Sequence, residues 1–274
     1  MISSTLQRQL QRVKIKWLVR QGKPIPFQFR GTQYVVNPDD SAAYHIHNST
    51  DKIAKLADLV GHDAEVVFDV GANCGLFSAF ASARLPKCTF HIFEPAPELL
   101  PYLETNCGGG NLHIHPIAVS DVVGPVDFFV NPSSQQTNSL SANAVELFVT
   151  PETRGAGMNC LRVDCISLDR FCEDNGITQI DVLKIDVQGA EGGVLRGSSS
   201  ILEHVNALFI ESTWIDIESI LNLVPFARER GFLYLSVLSP VYMGADSLLT
   251  RSMLDSELVI NQFRLDDYKE NSWL

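Results

Sequence analysis

The residues best suited to chemistry lie where apolar runs give way to turns. In VVFDVGANCG (66–75) such a run closes on Asp69, and a Gly71-Ala72-Asn73-Cys74-Gly75 turn precedes a helical stretch. Gly71 and Gly75 let the backbone approach a ligand closely, and Asn73 is a residue type that enters the left-handed region readily. A helix beginning there points free N–H groups at whatever is bound. A dinucleotide turn would read G-x-G-x-x-G, and Leu76 stands at its third glycine, which weakens a pyrophosphate reading. Glu94 follows the next apolar run, 19 residues beyond Gly75. That spacing suits a carboxylate accepting hydrogen bonds from the two hydroxyls of a ribose. Asp69 would repel a pyrophosphate but suits a ligand carrying an amino group and a sulfonium, as S-adenosylmethionine does.

Asp186 ends a further apolar run, DVLKIDV (181–187). Its carboxylate has four readings: a cofactor or substrate residue, a general base, half of a divalent-metal site with Glu211, or an acid that complements a helix dipole. Lys184 sits mid-run, where an unpaired ammonium is costly, so it is expected to pair with a carboxylate. Among the histidines, His45 and His47 are the favoured candidate bases. His113 and His115 share one face of a strand and read as structural, and His204 stays a lesser candidate.

These groups need elements to hold them. From Glu65 onward strand-like runs at 66–70, 89–93, 112–119, 181–187, 207–212 and 232–238 alternate with helical stretches at 75–84, 97–106, 190–204 and 216–230. Nearly continuous apolar strands of this kind imply an α/β fold, a mostly parallel sheet with helices on both faces. ELVINQF (257–263) reads as a final strand. Residues 120–168 interrupt the alternation as a β-excursion with strands at 126–130 and 161–169 and a polar loop, 131–140. It is expected over the carboxyl edge of the sheet, where open α/β folds bind ligands.

Ahead of this body stands a basic arm, 1–40, with the remainder, 41–274, as one domain. Leu6, Leu10, Val13 and Trp17 fall at helical spacing, and an extended or hairpin segment follows through Val36. The chain of 274 residues has a formal net charge of −11, yet residues 1–30 carry seven basic and no acidic side chains, leaving the rest at −18. An acidic body argues against the nucleic-acid backbone as partner. The arm reads as a lid, a dimer element or a contact for an anionic surface, which leaves room for a homodimer. Six cysteines without a C-x-x-C pair suggest a reducing cytoplasm, and no apolar run reaches bilayer-spanning length.

DVGANCG, FEP, AVSD (118–121), QTNSL (136–140), VDCISLD (163–169) and LKIDVQGAEGGVLRG (183–197) occur in the order seen in the FkbM family of S-adenosylmethionine-dependent methyltransferases, which this sequence resembles over roughly residues 65–212. The resemblance implies a Rossmann-like class I methyltransferase fold with a seven-stranded sheet, and methyl transfer to a hydroxyl of a polyketide, glycan or similar natural product. It implies that Asp69, Gly71, Ala72, Asn73 and Gly75 hold the methionine end of the cofactor. Glu94 with Pro95 would take the ribose, Ala118 and Val119 the adenine, and Asp186 would lie near the methyl group. Asn138, Ser139 and Glu211 would face the substrate, with S-adenosylhomocysteine as product. A divalent ion such as Mg would use Asp186 and Glu211; otherwise no metal is expected. The family usually has Glu where this chain has Gln188. The rival readings are a nicotinamide-dependent oxidoreductase and a non-catalytic cofactor-binding module.

Overall fold

The structure is a computed structural model that describes residues 13–38, 50–131, 137–147, 159–213, 228–232, 234–241, 244–250 and 261–264. In chain order these form helix α1 (13–20), strands β1 (Ile25–Phe29) and β2 (Thr32–Val36), α2 (Thr50–Asp58), β3 (Val66–Val70), α3 (Leu76–Ser82), β4 (Thr89–Phe93), α4 (Leu100–Cys107) and β5 (Leu112–His115). There follow β6 (Ala118–Val119), β7 (Gly124–Val130), α5 (Ala142–Leu147), β8 (Asn159–Ile166), α6 (Leu168–Asn175), β9 (Ile180–Ile185) and α7 (Glu191–Arg196). A 3-10 turn (Ile201–His204) and strands β10 (Val205–Thr213), β11 (Tyr234–Val241), β12 (Gly244–Thr250) and β13 (Asn261–Arg264) complete the described elements.

The main sheet runs β13-β11-β12-β10-β9-β3-β4-β5. Its five strands from β10 to β5 are parallel to their neighbours, as the alternation predicts, and β12, β11 and β13 pair antiparallel. The expected seven strands are therefore eight among the described residues. β12 (GADSLLT) carries no strand signal in the sequence, because its first half lacks the β-branched and aromatic residues that mark a strand. The helix expected at 216–230 falls almost wholly outside the described residues.

Alternation along the strands builds two cores, one on each face. Val67, Phe90, Ile92 and Val182 join one cluster with Phe77, Phe80 and Leu103, whereas Phe68, Val70, Phe93, Leu183 and Ile185 join another with Phe171 and Leu202. The β-excursion is a small sheet of order β6-β8-β7, with β7 antiparallel to β8 over the whole strand.

Of the N-terminal segment the described residues 13–36 form a helix and a hairpin; Leu6 and Leu10 lie outside the described residues, and the described turns bury a stripe other than Val13 and Trp17. Val13 and Trp17 are 67% and 53% exposed, while Ile15 and Leu18 are buried in the same cluster as Phe27 and Tyr34. Ile15, Leu18 and Val19 form a second apolar stripe, and docking against the hairpin selects it over the pattern's own period. The hairpin packs on α3, with Phe29 and Tyr34 ring centroids 5.1 and 4.9 Å from that of Phe80.

On the outer edge His91, His113 and His115 stack as a group beneath Phe171. Burial and the neighbouring imidazoles push His91 down to about 4, and His115 is lowered for the same reasons. These histidines are structural here, as the sequence suggests.

Candidate active site

The turn 71–75 is held by its own backbone and by hydrogen bonds to the elements around it. Gly71, Asn73 and Gly75 have φ of +75°, +54° and +76°. A Cβ on Gly71 would lie 1.9 Å from the Asp186 carbonyl oxygen, and one on Gly75 would strike Leu103 and Cys107 of α4 at 2.4 and 2.6 Å. Gly75 thus supplies the close helix packing for which a dinucleotide turn uses its third glycine. Gly71 N and Ala72 N both donate to the Phe93 carbonyl at the end of β4. Asn73 caps Cys74 N through its own Oδ1 at 2.7 Å. Behind the turn Asn106 of α4 donates to the carbonyls of Cys74 (2.7 Å) and Val35 (2.8 Å) and accepts from Val35 N (3.0 Å). That single amide ties the N-terminal hairpin to the turn, and a lone Asn inside a helix gave no signal for it.

Asp69 and Lys184 are register partners on β3 and β9, so their side chains stand together on one face of the sheet. Lys184 Nζ lies 3.0 Å from Asp69 Oδ1, 3.3 Å from the Gly71 carbonyl and 3.6 Å from Asp186 Oδ2. Burial alone would lower this lysine, but Asp69 and Asp186 outweigh it and hold its pKa above the ordinary value. Ser78 Oγ donates to the other Asp69 oxygen at 2.7 Å. Asp69 is fully buried. The carboxylate read as the partner of a cationic ligand has a cation of its own, and it acts on the turn through Lys184. The expected pairing of Lys184 is present.

Glu94 is 5% exposed, and its two oxygens accept from Asn73 N (2.8 Å) and Ala96 N (2.9 Å). Burial pushes its pKa up to about 7 against the pull of those two N–H groups. Each oxygen takes one hydrogen bond and has a lone pair to spare, so the group retains capacity for hydroxyl donors. Pro95 is half-buried beside it. Ala118 and Val119 form β6, both buried, one in each core.

Beside the turn lies the loop after β9. Asp186 N donates to the Val70 carbonyl, and the Asp186 side chain is 29% exposed. Gln188, at φ +55°, donates from Nε2 to Asp186 Oδ1 (2.7 Å) and to Glu211 Oε2 (3.1 Å). Glu191 turns back under the loop, accepting from Val187 N (3.3 Å) and from Gly189 N through both oxygens (3.1 and 3.0 Å). Its carboxyl is pushed up to about 7, chiefly by burial. Sequence reading gave Glu191 no role, although an acid at the first turn of a short helix is a recognisable signal.

The excursion reaches the same place. Ser139 Oγ donates to the Val187 carbonyl (3.1 Å) and accepts from Ser141 N (3.0 Å), while Asn138 donates to Glu98 (3.3 Å) and accepts from Asn131 N (2.9 Å). Gly71, Asn73, Glu94, Asp186, Ser139 and Glu211 are thus gathered at the carboxyl ends of adjacent strands. His45 and His47 lie outside the described residues. Among the described residues no group of three or more His, Cys, Asp or Glu side chains could hold a metal ion, and no helix is long and apolar enough to cross a membrane.

Comparison with known proteins agrees with this geometry. Residues 69–234 match the model of the methyltransferase FkbM domain. The chain is 28% identical over 204 residues to the 31-O-demethyl-FK506 methyltransferase FkbM of Streptomyces tacrolimicus, covering 66% of this chain and 78% of that one. It is 24% identical over 185 residues to the 2-O-methyltransferase NoeI of Sinorhizobium fredii, covering 62% and 75%. With the hexuronic acid methyltransferase AglP of Haloferax volcanii the identity is 25% over 202 residues, covering 68% and 77%. Because the matched domain spans well over half the sequence and includes both loops and Glu94, the chain belongs to the FkbM family of S-adenosylmethionine-dependent methyltransferases.

Proposed function

We propose that this protein transfers the methyl group of S-adenosylmethionine to a hydroxyl of a small molecule, a polyketide, glycan or similar natural product. The observation that carries the reading is Glu94, a buried carboxylate lying against the glycine turn with an unused lone pair on each oxygen, which suits a ribose. Relatives named for 2-O-methylation and for 31-O-demethyl-FK506 support oxygen as the acceptor atom, and one named for hexuronic acid supports a sugar acceptor. The net charge of −11 favours a small acceptor over a nucleic acid.

When bound, the cofactor supplies an already activated methyl group on a sulfonium, so the protein's task is to position and to take up a proton. Glu94 would hold the ribose hydroxyls, and the turn 71–75 would lie along the methionine end. Asp186, partly exposed beside that turn, would accept the proton of the attacking hydroxyl, with Ser139, Asn138 and Glu211 toward the acceptor. His45 and His47 are the alternative proton acceptors, and a comparison of Asp186→Asn with His45→Gln and His47→Gln distinguishes them by which loses turnover.

Calorimetric titration of the pure protein with S-adenosylhomocysteine tests the cofactor. Binding at one per chain is expected, and none would remove the reading. A screen of hydroxylated polyketides and glycans with methyl-labelled donor, with and without chelator, then identifies the acceptor.

A further inference from the structure

Asp186 follows the last residue of β9, and Glu211 lies near the end of the adjacent parallel strand β10, which runs on to Thr213. β9 and β10 are paired in register up to Ile185 and Ile210, which brings the next residues of the two strands, Asp186 and Glu211, side by side. Like charges so placed repel, and two kinds of group can hold them facing: a cation, or a neutral donor with two N–H bonds. Gln188 is the second kind. Its backbone sits in the left-handed region at φ +55°, and from there the Nε2 amide donates to Asp186 Oδ1 at 2.7 Å and to Glu211 Oε2 at 3.1 Å. The amide has two N–H bonds, one for each carboxylate.

We infer that Gln188 is a positioning residue that does between Asp186 and Glu211 what a divalent cation does in other paired-carboxylate sites, so that methyl transfer here proceeds without one. The inference rests on the proposed transfer at this site. Its consequence is electrostatic. A divalent ion would engage the carboxylates as ligands and acidify a bound hydroxyl, whereas an amide adds no net charge and leaves Asp186 anionic and able to take a proton. The 29% exposure of the Asp186 side chain leaves it in reach of an acceptor hydroxyl, and Lys184 Nζ, 3.6 Å from its other oxygen, favours its charged form.

The test is cation binding to the full-length protein, read with Mn2+ alone by electron paramagnetic resonance and with Mg2+ alone by calorimetry. Wild type should show no stoichiometric site. Gln188→Ala removes both donors and the side chain that stands between the carboxylates. It should open the gap between the carboxylates to Mn2+. Gln188→Glu supplies a third carboxylate and should bind at least about tenfold more tightly than wild type. Adding Asp186→Asn to Gln188→Glu should abolish the gain, which locates it. A purely structural Gln188 would leave cation affinity unmoved in both variants. That result overturns the inference, as does stoichiometric Mn2+ binding by wild type that Asp186→Asn removes, because the amide would then have turned its carbonyl oxygen to a metal. Loss of methyl transfer from wild type on adding chelator to the acceptor screen overturns it too. S-adenosylhomocysteine titration separates the two readings. No binding defeats the methyltransferase proposal, whereas normal binding with a metal requirement defeats only this one.

Discussion

The turn 71–75 and the loop 186–190 lie next to each other at the strand ends, and each donates backbone N–H to a buried glutamate, Asn73 N to Glu94 and the N–H groups of Val187 and Gly189 to Glu191. Glu94 serves the first from across β4, and Glu191 serves the second from within the same stretch of chain. Both carboxyls are pushed up to about 7 by burial. They differ in what is left over. Glu191 accepts from two N–H groups of its own loop, one of them, Gly189 N, bridging both oxygens, while Glu94 accepts one N–H on each oxygen, from two different segments. A carboxylate whose donors all belong to one loop shapes that loop, and one with a lone pair open on each oxygen can also meet a ligand. The same residue type with the same shift thus serves two purposes, and the hydrogen-bond inventory separates them where the pKa does not.

The two loops are joined by Lys184, which touches Asp69, the Gly71 carbonyl and Asp186. Lys184→Met should therefore have the largest effect, because it leaves Asp69 buried and uncompensated between them. A loss of about 3–5 kcal/mol in urea unfolding is expected. A loss under about 1 kcal/mol would mean that the pair is not what couples the loops.

Next come the glutamates themselves. Glu94→Gln should weaken S-adenosylhomocysteine binding by about tenfold to a hundredfold, the worth of hydrogen bonds to a charged acceptor. Glu191→Gln should cost folding stability but change that affinity only about twofold to threefold. Equal losses of affinity in the two variants would erase the proposed division of labour.

Their titration separates them from the histidines at the sheet edge. Each glutamate has a folded-state pKa near 7, above its ordinary 4.5, so the stability it contributes is fully present below about 4.5 and is lost as pH rises toward 7. His91 is lowered to about 4, so its contribution is present above about 6.5 and is lost as pH falls toward 4. In wild type the two trends oppose. Urea midpoints measured from pH 4.5 to 7.5 should show Glu94→Gln and Glu191→Gln gaining relative to wild type as pH rises, by at most ~1.4 kcal/mol per pH unit for each group. His91→Phe should gain relative to wild type as pH falls. A wild-type-minus-variant difference independent of pH would show that the carboxyl in question titrates normally.

How far the sequence reveals this arrangement follows from the range of each interaction. The glycine turn was legible because conformation and close approach at Gly71 and Gly75 demand particular residues, and Glu94 because its distance from the turn is one helix and one strand. The parallel strands were legible from continuous apolar runs such as DVLKIDV. The destination of Asp69 was not, since pairing with Lys184 depends on β9 lying beside β3 and on their register, 115 residues apart. Asn106 and Gln188 act through geometry that no spacing encodes. Helix α1 shows the same limit, because two apolar stripes compete and the hairpin decides which is buried.

The smallest effect concerns what the excursion lends to the second loop. Ser139 is 1% exposed, donates to the Val187 carbonyl and accepts from Ser141 N, and none of its hydrogen bonds goes to the turn 71–75. Ser139→Ala should cost about 1 kcal/mol, one buried hydroxyl's net worth. Its effect should also be local. Hydrogen exchange at Gly189 N, whose acceptor is Glu191, should quicken more than exchange at Asn73 N, whose acceptor is Glu94, while S-adenosylhomocysteine affinity stays within about twofold. If both amides quicken together, the loops open as one unit, and Lys184 then outweighs the separate glutamates. If Gly189 alone responds, the loop 186–190 can shift without the turn, and the acceptor side of the site can vary while the cofactor side stays fixed.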